Sequence, residues 1–324
     1  MLPESILKVS RRPVLFFANG IGDNLLNLPA LRGLRSGLGQ KMVLICEARR
    51  KAFFEELETP ILGVEMTRHP RGFEFDWRAL RDRIAECDLF ISLSPWMTPS
   101  LHELIRALQP VPTIGFGPEF DQSILRDESI HALDAAFTVC RFLFPHLDVR
   151  SFCQPPRCIW NQAEEIYAIR KQLPSSSRIL VVHIETLPHK CWPTNHWKEA
   201  LARFLDLHPD IFALVIGDKA KEVDSDLPRL IPSDTMSLPS AMTLVATADY
   251  FAGIDSCMLH VADFARVPSV ALFGPTSHQK WGIRFASHVT LQGNGDMESI
   301  TIPEVVRALT AIVSDTGCKM IRSL

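Results

Sequence analysis

The sequence predicts an α/β protein built as two parallel-sheet units in tandem. Three observations carry that expectation. Short apolar runs of strand length alternate with segments of helical period through both halves of the chain. The alternation is interrupted once, between Pro145 and Cys158, by a segment that holds Pro155 and Pro156. The 324 residues exceed one ordinary core and match two. The expected domains are 1–155 and 156–324, with the last helix free to pack back on the first.

In the first half, Val14–Ala18 reads as a buried strand. A glycine turn follows, then a helix with Leu25, Leu28, Leu31, Leu34 and Leu38 at helical spacing. Met42–Cys46 is the next strand and Arg50–Leu57 a helix. Asp76–Cys87 sets Trp77, Leu80 and Ile84 against Arg78, Arg81 and Arg83, an amphipathic helix. Asp88–Leu93 is a buried strand, Pro110–Gly117 strand and loop, and Ile130–Phe144 a long apolar helix stopped by Pro145. The second half restarts with a helix over 162–172 and the strand Arg178–His183. A loop with Pro188 and Pro193 leads into a helix to Leu207, and the strand Ile211–Ile216 ends at Gly217-Asp218. The spacing then predicts a helix at Ser240–Thr247, a strand at Tyr250–Gly253, a helix at Cys257–Ala265, a strand at Ser269–Phe273 and a closing helix at Pro303–Val313. Repeated βα units imply parallel sheets covered on both faces. Two of them facing each other leave a cleft at the C-terminal strand edges, where ligands bind in open α/β sheets.

Composition excludes several classes. Hydrophobic residues make up 47% and charged residues 22%, as in a well-packed globular protein. Lys and Arg number 34 against 37 Asp and Glu, so bulk attraction to nucleic acid is not expected. No apolar run approaches the ~18 residues of a membrane span, and the N-terminus lacks a signal-peptide pattern. The expected location is cytoplasmic, with at most peripheral contact at the inner face of a membrane. The eight cysteines form no Cys-x-x-Cys pair, which fits reduced thiols. Cys257 and His260 have ligand-like spacing but no second pair, and no metal is expected.

Four segments carry chemistry. Asn19-Gly20-Ile21-Gly22-Asp23-Asn24 occupies the first strand–helix turn. Asp23 there either accepts a proton from an incoming hydroxyl or, like Asn24, caps the helix. His189-Lys190-Cys191-Trp192-Pro193 follows the first strand of the second half. Lys190 is either a diphosphate ligand or one more solvated lysine over a packed Trp192. Asp255-Ser256-Cys257-Met258-Leu259-His260 opens a helix after Gly253. Ser256 and the following N–H groups can cradle a phosphate while Asp255 fixes the turn, or the pair is a plain helix cap. His260 either reaches the phosphate or sugar or is a buried, satisfied histidine. Gly217 to Glu222 is a charged loop whose carboxylates can meet ribose hydroxyls.

Together these segments resemble glycosyltransferase family 9, the bacterial heptosyltransferases. Gly22-Asp23-Asn24-Leu25-Leu26-Asn27-Leu28-Pro29-Ala30-Leu31-Arg32 is similar to that family's N-terminal signature. Lys190-Cys191-Trp192-Pro193 is similar to its Lys-Arg-Trp-Pro segment. Asp255 to His260, with Val267-Pro268 and Leu272-Phe273-Gly274-Pro275-Thr276, resembles its C-terminal motif. The resemblance implies the GT-B fold, two Rossmann-like domains facing across a cleft. It implies an inverting, metal-independent transfer of a sugar, a heptose first of all, from a nucleotide diphosphate donor such as ADP-heptose. The acceptor hydroxyl would belong to a glycan, a glycolipid such as lipopolysaccharide core, or another molecule. No cofactor beyond the nucleotide sugar is implied. Asp23 becomes the general base, beside an acceptor-side loop of Gly20, Gly22 and Asn24. Lys190, Asp255, Ser256, Cys257, Met258 and His260 become donor ligands, with Glu222 at the ribose and Met242 at the base. Cys257 and Glu185 stand where the family has glycine, and Cys191 where it has arginine. An acidic Glu185 is compatible with a nearby diphosphate only if it points away. The competing class is a non-catalytic nucleotide-sugar or phosphosugar binder of the same fold.

Overall fold

A computed structural model describes residues 10–39, 41–157, 163–223, 227–233 and 236–315. The chain divides into two compact units, residues 1–158 and 159–324. The expected helix start at residue 162 lies outside the described residues.

The first unit holds a six-stranded parallel sheet. Its strands are β1 (Pro13–Phe16), β2 (Val43–Glu47), β3 (Ile61–Val64), β6 (Leu89–Ser92), β7 (Thr113–Phe116) and β8 (Gln122–Ile124). Their order is β3-β2-β1-β6-β7-β8. A short antiparallel hairpin, β4 (Thr67–His69) and β5 (Gly72–Glu74), stands apart. The helices are α1 (Ile21–Leu38), α2 (Trp77–Arg83), α3 (Pro99–Leu108) and α4 (Ala132–Leu143). Helix α1 packs closely on α4 because Gly33 has no side chain: a Cβ there would lie 2.6 Å from Cys140 Sγ. Arg50–Leu57, expected as a helix, lies in a 3₁₀ run over Ala48–Leu57 with only Phe54 and Leu57 buried. Helix α2 is shorter than its amphipathic pattern. It starts where Asp76 accepts the N–H groups of Arg78 and Ala79 and ends at Arg83.

The proline-rich interval is tied to its own unit. Arg32 on α1 donates to the carbonyls of Phe152 (2.7 Å), Gln154 (2.7 Å) and Pro155 (3.2 Å), and its Nε binds Glu56. One guanidinium thus satisfies three loop carbonyls that no sheet or helix would pair.

The second unit repeats the plan. Strands β9 (Arg178–His183), β10 (Ile211–Ile216), β11 (Leu230–Ser233), β12 (Tyr250–Ile254), β13 (Ser269–Phe273) and β14 (His288–Gln292) form a parallel sheet in the order β11-β10-β9-β12-β13-β14. The long helices are α5 (Ala163–Lys171), α6 (Thr194–Leu207), α7 (Leu238–Thr247), α8 (Cys257–Phe264) and the closing helix Ile302–Asp315. Trp192 and Trp197 lie in the core at 1% and 0% exposure, stacked edge to face at 5.0 Å. The closing helix packs on α6 and on β12, β13 and β14. Its apolar stripe (Val305, Ala308, Leu309, Ile312, Val313) belongs to the core of its own sheet. No described helix is long and apolar enough to cross a membrane.

In each sheet the strand order reverses once, between β1 and β6 and between β9 and β12. At such a point the two crossovers leave on opposite faces, and the loops at the C-terminal edge part to open a pocket. Both candidate sites lie there.

Candidate functional site

In the first unit, β1 runs out at Phe16 and α1 begins at Ile21. The N-cap is Gly20, which has no side chain to cap with. Gly22 and Asn24, expected on a loop, lie in the first helical turn, and Asn24 is buried there. Asp23 is half-buried and lines a small cavity with Asn19, Asn27, Leu93, Pro95 and Arg126. Leu93 and Pro95 come from the loop after β6, as the switch point dictates. Arg126 escaped sequence reading because a lone arginine beyond a three-residue strand has no pattern. Its guanidinium stands 3.2 Å from Glu128 and lies over the Phe116 ring.

In the second unit, the loops after β9 and β12 meet. Lys190 Nζ donates to Asp255 Oδ2 at 2.7 Å, with 20% and 7% of the two side chains exposed. Lys190 is therefore not a solvated lysine. Its loop is pinned from below by Trp192, whose indole N–H donates to the Ile300 carbonyl at 2.9 Å. Ser256 is the N-cap of α8, yet its hydroxyl makes no capping bond to the helix. It lies instead 2.9 Å from Nδ1 of His183, the last residue of β9. Cys257 and Met258 open the helix, where first-turn N–H groups have no partner within the helix and the dipole is positive. Lysine ammonium, serine hydroxyl and helix N-terminus together suit an anion of the diphosphate kind.

Glu185 points elsewhere. Its two carboxylate oxygens accept the N–H groups of Asp218 (2.7 Å) and Lys219 (2.9 Å) in the loop after β10. That geometry needs Gly217 at φ +111°, where a Cβ would fall 2.5 Å from Glu185 Oε1. The acid that replaces a glycine thus organises a neighbouring loop. Glu222 lies on that loop and accepts from the Thr194 hydroxyl at 3.2 Å. Five of the expected donor ligands are buried: Asp255, Ser256, Met258, His260 and Met242. His260 is 4% exposed on α8, and Met242 is 1% exposed on α7. No cluster of three or more His, Cys, Asp or Glu is gathered as a metal site among the described residues.

His183 was missed because a histidine ending an apolar strand looks like ordinary core. Burial pushes its pKa down to about 4. The unfolded histidine takes up a proton near pH 6.5, whereas the folded one stays neutral until about pH 4. The unfolded state therefore binds more protons in this window, and stability falls as pH drops through it. The expected loss is about 3 kcal/mol between pH 7 and pH 4. Urea denaturation across this range should show the slope in the native protein and lose most of it in His183→Asn. An unchanged slope would place the pH dependence elsewhere.

Residues 160–300 match the family model of glycosyltransferase family 9 (heptosyltransferase). A comparison with curated protein sequences finds no match. Among solved structures, the glycosyl transferase family 9 protein of Veillonella parvula is similar at 18% identity and TM-score 0.76, covering 94% of this chain and 97% of that one. The E. coli ADP-heptose lps heptosyltransferase II is similar at 15% identity and TM-score 0.70, covering 95% and 100%. The E. coli heptosyltransferase WaaC with ADP follows at 15% identity and TM-score 0.66, covering 93% and 99%. At these identities the likeness establishes the two-Rossmann GT-B fold.

Proposed function

We propose that this chain, whose residues 160–300 match the glycosyltransferase family 9 model, is a divergent member of that family and moves a sugar from a nucleoside diphosphate donor to an acceptor hydroxyl with inversion. The observation that carries this reading is the group Lys190, Asp255 and Ser256 at the N-terminus of α8, a built anion site at the switch point of the second sheet. Solved structures of the E. coli heptosyltransferase WaaC hold ADP and ADP-2-deoxy-2-fluoro heptose, which favours ADP-heptose as donor.

In this reading Asp23 takes the proton of the acceptor hydroxyl as its oxygen attacks the anomeric carbon from the face opposite the diphosphate. The bond from that carbon to the diphosphate oxygen breaks, and the leaving group departs as a nucleoside diphosphate. Its growing negative charge meets the Lys190 ammonium, the Ser256 hydroxyl and the N–H groups of Cys257 and Met258. These fixed donors supply the cationic stabilisation, so the proposed transfer is independent of metal. Asp255 holds the ammonium in place. Glu222 is assigned to the ribose hydroxyls. The acceptor is assigned to the glycan or glycolipid class, lipopolysaccharide core included, and the protein to the cytoplasm.

The test incubates the protein with ADP-heptose, ADP-glucose, UDP-glucose and GDP-mannose and measures release of the nucleoside diphosphate, with and without EDTA. Slow, donor-selective release that survives EDTA is expected. Binding without release would favour a non-catalytic nucleotide-sugar binder, and neither binding nor release would overturn the reading.

A further inference from the structure

His183 and Ser256 meet because β9 and β12 are neighbours, with His183 in register with Gly253. Gly253 allows a close approach, since a Cβ there would lie 3.0 Å from the His183 carbonyl oxygen. The imidazole is buried and its Nδ1 is 2.9 Å from Ser256 Oγ. Ser256 has a capping position but spends its side chain on this ring instead of on the helix.

A hydroxyl has one hydrogen to give. If the ring nitrogen accepts that hydrogen, Ser256 can offer an anion only lone pairs, which repel it. If the ring nitrogen donates, the serine hydrogen is released to point at the anion. The choice between these arrangements is the choice of histidine tautomer, because burial keeps the ring neutral with a single proton at neutral pH.

Resting on the reading that Ser256 touches the donor's diphosphate, we propose that His183 is a positioning residue for donor binding. It is held as the Nδ1–H tautomer, donates to Ser256 Oγ and thereby turns the serine hydrogen toward a diphosphate oxygen. His183 itself does not touch the donor. It acts only through Ser256.

The experiment measures ADP binding by calorimetry to the full-length native protein, His183→Leu, His183→Asn, Ser256→Ala and the His183→Leu/Ser256→Ala double variant. An asparagine amide can reproduce the Nδ1–H donor, whereas leucine cannot. Loss of one hydrogen bond to a charged oxygen corresponds to roughly tenfold or more in affinity. His183→Leu and Ser256→Ala are each expected to weaken ADP by about that factor, and His183→Asn by less than about threefold. The double variant should be no weaker than Ser256→Ala alone, because the histidine has no other route to the ligand. Nitrogen-15 NMR of the ligand-free protein should show the Nδ1-protonated form from pH 6 to pH 8.

A full additive loss in the double variant, unchanged affinity in His183→Leu, or an Nε2-protonated ring would overturn the proposal. Should the leucine variants not fold, His183→Gln takes their place. Its amide reaches toward the Nε2 position, so it should bind ADP about as poorly as Ser256→Ala, and binding equal to His183→Asn would overturn the proposal. If the native protein binds neither ADP nor UDP, GDP or CDP, it is the donor reading that fails. If it binds and the variants are additive, only the role of His183 fails.

Discussion

Asp23→Ala is expected to lower turnover by about a thousandfold or more while leaving nucleoside diphosphate affinity within about twofold, as befits loss of a general base. Asp23 is on the first turn of α1 in one unit, and the proposed anion site belongs to the other. The substitution therefore removes the proposed proton acceptor and leaves every proposed donor contact intact. Asp23→Asn should behave alike, because the amide keeps the shape and loses the basicity. Calorimetry with ADP and a nucleotide-release assay on the same preparation check the two halves of this expectation. Turnover within a few-fold of native would remove Asp23 from the mechanism. A parallel loss of ADP affinity would mean that it serves the donor instead.

Lys190→Ala carries the second large effect, and it has two separable parts. The first is binding, since the variant loses the one side-chain cation assigned to the diphosphate, and ADP affinity should fall by about a hundredfold. The second is stability. Asp255 is 7% exposed, and without its partner it becomes a buried, unpaired carboxylate. Breaking such a pair costs about 3 kcal/mol, at the lower end of the range because Lys190 keeps some solvent contact. The double substitution Lys190→Met/Asp255→Asn distinguishes the two. It removes both charges, so stability should recover most of the loss whereas ADP affinity should not. If the double variant regains ADP binding, the lysine is structural and the anion site lies elsewhere. If Lys190→Ala keeps native stability, the ion pair contributes little in solution.

The chain's patterning revealed the central strands and the long helices. Leu180, Val181 and Val182 of β9, or Val270, Ala271 and Leu272 of β13, form unbroken apolar runs because both faces of a parallel sheet are covered. The outer elements were less visible. Strands β3, β8, β11 and β14 are three to five residues long, sit at sheet edges and are only partly buried, so their apolar runs are short or broken, as by Gly63 in β3 and Pro232 in β11. Helix α3 lay behind the irregular stretch Ser94-Pro95-Trp96-Met97, although Thr98 caps it and its buried Leu101, Leu104, Ile105 and Leu108 keep helical spacing.

For the site, what the sequence by itself determined was the set of chemical types at each strand–helix turn: Asp23 after one glycine turn, Lys190 ahead of Trp-Pro, and Asp255-Ser256 ahead of a helix. Local spacing suffices there, because a turn and a helix start are properties of adjacent residues. Only the tertiary structure decided which of these groups touch. Lys190 and Asp255 are 65 residues apart, and His183 and Ser256 are 73 apart. Each pair meets because β9 and β12 are neighbours in the sheet, and strand order is a long-range outcome that no short window encodes. The same holds for Glu185, whose charge looked hostile to a diphosphate until the fold turned it onto the N–H groups of Asp218 and Lys219. Residue type limits what a side chain can do, and the packing of distant strands selects which of those things it does.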